Sequence, residues 1–86
     1  MDNMTRDEVA DIVKSIISEE TDIEKENIQE HMSLIHDLGF DSLDGVELVM
    51  KIENRFSIHI KDEQEDKMKT VGITIDVIYA IVNGED

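Results

Sequence analysis

Three segments of this 86-residue chain repeat their apolar residues at the spacing of one helix face, and that period constrains the fold more than any other feature of the sequence. In the first, Val9, Ile12, Val13, Ile16 and Ile17 share a face. Thr5, three residues before Glu8, is a capping-box pattern in which hydroxyl and carboxylate satisfy backbone donors reciprocally. The pattern stops around Ser18-Glu19-Glu20-Thr21, where the helix is expected to end. In the second segment Asp41 is a natural N-cap and Asp44 suits the positive end of the helix dipole. That helix is predicted from Ser42 to Arg55. In the third, Thr70 caps a helix carrying Val71, Ile75, Ile78, Tyr79 and Val82, closed by Asn83-Gly84. Ile73 and Ile75 with their β-branched neighbours also read as a strand locally, but the wider spacing is helical.

Between the first two helices lies a polar, acidic connection from Thr21 to Asp41, ended by Gly39 just before Phe40-Asp41-Ser42. A connection this long is expected to pack on the domain through its isolated apolar residues, Ile23, Ile28, Met32, Leu34, Ile35 and Leu38. After a short break at Ser57 to Lys61, residues 62–68 are compatible with one or two helical turns. There is no proline, no repeat and no low-complexity tract. The expected fold is all-α, a small bundle of three main helices plus one short helix, forming a single domain over residues 1–86.

Twenty-two acids against eight bases give a formal charge of −14. Nucleic acid and anionic membranes are therefore poor partners, and a basic protein surface is the natural complement. The plainer reading is that the acidity only maintains solubility. Self-repulsion of this size also argues for a monomer. With no cysteine, neither a disulfide nor a thiolate metal site can staple the chain. Two Phe and one Tyr leave the core to Ile, Val, Leu and Met, and a deep, rigid cavity is not expected. Met1 to Arg6 lack the apolar core of a signal peptide, and the longest apolar runs fall far short of the ~20 residues a membrane span requires. The chain reads as soluble and cytoplasmic.

The second helix has one apolar stripe too many. With Ser42 at zero and about 100° per residue, Leu48, Val49, Ile52 and Phe56 fall between about 240° and 340°, a core stripe. Leu43, Val46 and Met50 fall at roughly 40–100°, flanked by Glu53 near 20° and Glu47 near 140°. Such an apolar strip bordered by acids suits a basic partner with an apolar groove, and a flexible Met suits a face that meets several surfaces. Alternatively, Leu43 and Val46 contact the long connection and Met50 alone stays outside.

Ser42 stands beside this strip, at the first turn, where free N–H groups and the helix dipole favour an anion such as a phosphodiester on its hydroxyl. Taken alone, Asp-Ser before an apolar run is ordinary capping. A serine nucleophile needs a base within reach, and no Gly-x-Ser-x-Gly elbow surrounds Ser42, although His36 lies six residues upstream. No catalytic residue is assigned. His31, His36 and His59 lack helical i, i+4 pairing and read as loop residues. An EF-hand register with Gly45 at the sixth position puts Phe40 at the first, which cannot ligate calcium, and no metal site is assigned.

The run Asp37-Leu38-Gly39-Phe40-Asp41-Ser42-Leu43-Asp44-Gly45-Val46-Glu47-Leu48-Val49-Met50 strongly resembles the acyl carrier proteins of dissociated (type II) fatty acid synthesis, and the order of helices is similar over nearly the whole chain. The resemblance implies a non-enzymatic carrier. Ser42 would receive a 4′-phosphopantetheine arm from coenzyme A, through a phosphopantetheinyl transferase using Mg²⁺. Acyl cargo would ride as a thioester to enzymes with basic docking patches, which meet Leu43, Val46, Glu47, Met50 and Glu53; Asp41 and Asp44, acids at the start of the same helix, flank the strip and are assigned to the same partner surface. Leu48, Ile52, Phe56, Ile60, Met68 and Ile75 would form the core or line a cavity for the acyl chain. Three features depart from the family pattern. Ser57-Ile58-His59-Ile60-Lys61-Asp62 replaces a more acidic, proline-containing passage, Glu65 stands where a small residue is common, and Gly45 sits inside the helix at a cost of roughly 1 kcal/mol. A specialised carrier for polyketide, lipid-modifying or aminoacyl chemistry stays open, as does an unmodified acidic helical adaptor.

Overall fold

A computed structural model describes residues 3–84. Met1 and Asp2, the start of the segment read above for a signal peptide, lie outside the described residues. Among the described residues four helices follow in order: α1 (Arg6–Thr21), α2 (Ser42–Phe56), α3 (Asp62–Glu65) and α4 (Val71–Val82). A 3₁₀ turn, Lys25–Asn27, interrupts the long connection between α1 and α2. The all-α expectation of three main helices and one short one is met.

Local chemistry sets the helix ends. The Thr5 hydroxyl accepts from the Glu8 N–H at 3.1 Å and the Glu8 carboxylate accepts from the Thr5 N–H at 2.8 Å, so the capping box is complete. At the other end of α1, Asp22 turns into the left-handed region (φ 63°) and its N–H returns to the Ser18 carbonyl. The α3 segment makes one α-helical turn and then tightens. Lys67 and Met68 donate to the carbonyls of Gln64 and Glu65, three residues back, so the expected helix over 62–68 is regular only to Glu65.

Helix α1 packs against both α4 and α2. It contributes Val9, Val13, Ile16 and Ile17 to the core, while α4 contributes Val71, Ile75 and Ile78. Ile12, expected on the core face, is half-buried. Helix α2 buries only Leu48 and Ile52, with Val49 and Phe56 partly covered. Thr74, a polar side chain with no exposure, donates its hydroxyl to the Thr70 carbonyl at 2.8 Å, which offsets the cost of burying it.

The long connection is laced to the chain entering α4. Leu34 donates to the Lys69 carbonyl at 3.0 Å, Val71 to Met32 at 3.0 Å and Gly72 to Glu30 at 2.8 Å, with an antiparallel bridge between Ser33 and Thr70. A Cβ at Gly72 would stand 3.1 Å from the Glu30 carbonyl oxygen, so this close approach favours a residue without one. Ile28 and Leu34 anchor the connection as expected, but Ile35 does not: it is 61% exposed. The backbone bonds of Leu34 turn its side chain inward, and the turn at 33–38, held by the Asp37 carboxylate on the Ser33 N–H at 2.7 Å, carries Ile35 outward.

Arg6 ties three segments together. Its guanidinium donates to both Glu30 oxygens at 2.9 and 2.8 Å, and to Asp76 at 2.7 Å. Hydrogen bonding from Arg6 holds the Glu30 carboxyl below its ordinary value of 4.5. A carboxyl lowered on folding adds stability that is present above its unfolded value and lost as pH falls through the folded one. Both side chains are more than a third exposed, so solvent screening leaves only about 0.5 kcal/mol. Acidification also relieves the repulsion of a −14 chain, which acts in the opposite direction. The measurement is therefore a difference: the stability advantage of wild type over Glu30→Gln, from thermal melts, should be constant above about pH 4.5 and shrink below it.

Candidate functional site

The amino-terminal end of α2 is built by reciprocal capping. The Asp44 N–H donates to the Asp41 carboxylate at 2.9 Å, and the Asp41 N–H donates to the Asp44 carboxylate at 3.0 Å. Asp44, expected only as a charge near the helix dipole, thus also closes a capping box. Ser42 is the first residue of the helix and is exposed. Its approach is set by Gly39, whose φ of +73° is the left-handed conformation that glycine adopts freely, and by Phe40. Phe40 donates its N–H to the Leu34 carbonyl at 2.9 Å and is only 6% exposed. Sequence reasoning had not placed Phe40 in the core; the available signal was a large apolar residue immediately before an N-cap. A buried aromatic at this point pins the chain, so that Asp41 and Ser42 emerge at a lip.

Below that lip lies a cleft of about 620 Å³ between the connection, α2 and the segment leaving α3. Its floor is apolar, with buried Leu34, Phe40, Leu48 and Met68. Its rim is polar, carrying Asp41, Ser42, Glu65, Asp66 and Lys69, with Gly45 and Val46 on the α2 side. The cleft is open to solvent rather than deep and closed. Of the residues expected in a cavity or core, Leu48, Ile52, Ile60, Met68 and Ile75 are buried, while Phe56 is partly covered.

Next to the cleft, Leu43 and Met50 are 73% and 55% exposed, and Val46, which also lines it, is 51% exposed. The alternative in which the connection covers Leu43 and Val46 is therefore not realised. Asp41 and Glu47 are also exposed. Glu53 differs: its carboxylate accepts the Ile60 N–H at 2.8 Å and lies 3.4 Å from His59 Nδ1, which turns it toward the loop after α2. On the opposite side of α2, Lys51 donates to Glu20 of α1 at 2.9 Å, and that hydrogen bond raises the Lys51 ammonium above its ordinary value. His31, His36 and His59 are all exposed loop residues. Among the described residues no group of three or more His, Asp or Glu is placed to hold a metal ion.

A family model described as "Phosphopantetheine attachment site" matches residues 11–78. An acyl carrier protein of Cyanidioschyzon merolae is 41% identical over 75 residues, covering 87% of this chain and 82% of that protein. The chain belongs to the acyl carrier protein family. An acyl carrier protein of Buchnera aphidicola is 50% identical over 66 residues, 77% of this chain and 82% of its own length. The structure of the acyl carrier protein from Enterococcus faecalis superposes with a TM-score of 0.76 at 37% identity, covering 91% of this chain and 99% of that one. The prosthetic group of the family is phosphopantetheine, which supplies a terminal thiol that holds acyl groups as thioesters. The site suits such an arm: an exposed hydroxyl on the first turn of a helix, beside a cleft with a polar rim and an apolar floor. Among the described residues no helix is long and apolar enough to cross a membrane.

Proposed function

We propose that Ser42 is the attachment point of the phosphopantetheine arm, and that the chain carries acyl intermediates of fatty acid biosynthesis between enzymes that perform the chemistry. One observation carries this reading: in a chain of this family, the exposed serine sits on the lip of the cleft with the apolar floor. In the loading reaction the Ser42 hydroxyl displaces adenosine 3′,5′-bisphosphate from coenzyme A. The Oγ–P bond forms as the pyrophosphate linkage breaks, and the hydroxyl proton leaves to a base on the transferase. Each CH₂ of cargo that reaches the cleft floor contributes about 0.8 kcal/mol.

The partner surface in this reading is the strip of Leu43, Val46 and Met50 with the carboxylates of Asp41, Asp44 and Glu47, met by a basic face with an apolar groove. The phosphate of the arm adds negative charge at the same end of α2 and reinforces the preference for basic partners. Glu53, bound to the Ile60 N–H, contributes by holding the loop after α2 as much as by its charge.

Incubation of the protein with coenzyme A, Mg²⁺ and a broad-specificity phosphopantetheinyl transferase tests the reading by intact mass. The expected result is one pantetheine-sized adduct on wild type and none on Ser42→Ala. An unmodified wild type, or an adduct that survives in Ser42→Ala, overturns it. The charged rim of Glu65, Asp66 and Lys69 favours a second reading, a specialised carrier of polar cargo such as polyketide or aminoacyl groups. Mass spectrometry of the native thioesters separates the two.

A further inference from the structure

Gly45 lies one turn after Ser42 on α2 and lines the same cleft. Nothing in its conformation explains a glycine. Its φ is not in the left-handed region, and a Cβ built there meets no atom within 4 Å. Gly72, by contrast, is pressed against the Glu30 carbonyl. An interior helix glycine with open space beside it forfeits helix propensity without relieving any crowding. Gly45 shares the lining of that cleft with the exposed Ser42 and with the buried floor residues Leu48 and Met68. Val46 and Ile35, both more than half exposed, line the same cleft.

We infer that Gly45 is a notch in the cleft lip through which the arm on Ser42 passes its cargo to the apolar floor, making Gly45 a positioning residue for cargo shelter in this carrier. The inference rests on the Ser42 reading above and adds to it the route from the attachment point into the cleft. A side chain at position 45 would occupy that route, so the cargo would reach less deeply or stay outside for longer. The protein would then protect its thioester less well, even though the empty helix became more stable.

That opposition of signs gives the test. Wild type, Gly45→Ala and Asn54→Ala are prepared in the apo form and loaded with an octanoylated arm from octanoyl-coenzyme A. Asn54 is exposed on α2 and does not line the cleft, so its alanine variant raises helix propensity without touching the route. Both variants should melt higher than wild type as apo proteins, by roughly 3–6 °C. Octanoylation should raise the melting temperature of wild type and Asn54→Ala equally, and that of Gly45→Ala by clearly less. Keeping about one methylene out of the cleft should make hydroxylamine cleave the Gly45→Ala thioester about fourfold faster. An equal octanoyl increment and equal cleavage rate in Gly45→Ala overturn the notch, as does a wild type that gains nothing on octanoylation. A wild type that accepts no arm, or Ser42→Ala that does, defeats the Ser42 reading itself and the notch with it.

Discussion

Ile75→Ala is expected to cost about 3 kcal/mol of stability and lower the melting temperature by roughly 12–24 °C. Ile75 has no exposed surface and lies on the face of α4 that joins the core, and α4 packs on α1. Truncation removes the transfer free energy of three carbons and leaves a void that close-packed aliphatic neighbours fill only in part. A domain of this size has only about 5–10 kcal/mol in total, so the variant should keep about 2–7 kcal/mol and unfold well below the wild-type temperature. Thermal melts followed by circular dichroism read the effect, and a loss below about 1 kcal/mol would contradict the placement of Ile75 at the centre of the core.

Placing a carboxylate on the exposed strip is the second large effect. Val46→Glu and Met50→Glu should each weaken productive association with the phosphopantetheinyl transferase about 10–30-fold, measured as kcat/KM for arm transfer, with melting temperatures close to wild type. The direction discriminates between two accounts of docking. Were the partner attracted by acidity alone, an added carboxylate would leave association unchanged or strengthen it. Where Leu43, Val46 and Met50 enter an apolar groove, a buried unpaired carboxylate costs more than the extra attraction returns. Raising the salt concentration should weaken the wild-type reaction as well, because the flanking Asp41 and Glu47 are exposed and readily screened.

Much of this was legible in the linear chain because its cause is local. Capping boxes join residues three apart, and helix faces repeat over three or four, so Thr5, Asp41 and Thr70 announced three helix starts. The surplus apolar stripe on α2 was readable in the same way, since one helix in a small bundle buries one face. The short acidic helix was harder to bound, because four regular residues offer no full amphipathic period.

What the sequence by itself determined, then, is where each main helix begins and ends, which stripe of α2 has no place in the core, and the position of Ser42 on a helix end. Only the tertiary structure decided that Phe40 turns in and Ile35 out, that Arg6 clasps Glu30 and Asp76, that Glu53 caps the loop after its helix, and that a cleft opens between Ser42 and Met68. These depend on pairings such as Leu34 with Lys69 and Gly72 with Glu30, made between segments that meet only after the helices have packed. No short-range period records which distant backbone a connection will lie against, because that choice is set by the shapes of the faces left over once the core is buried.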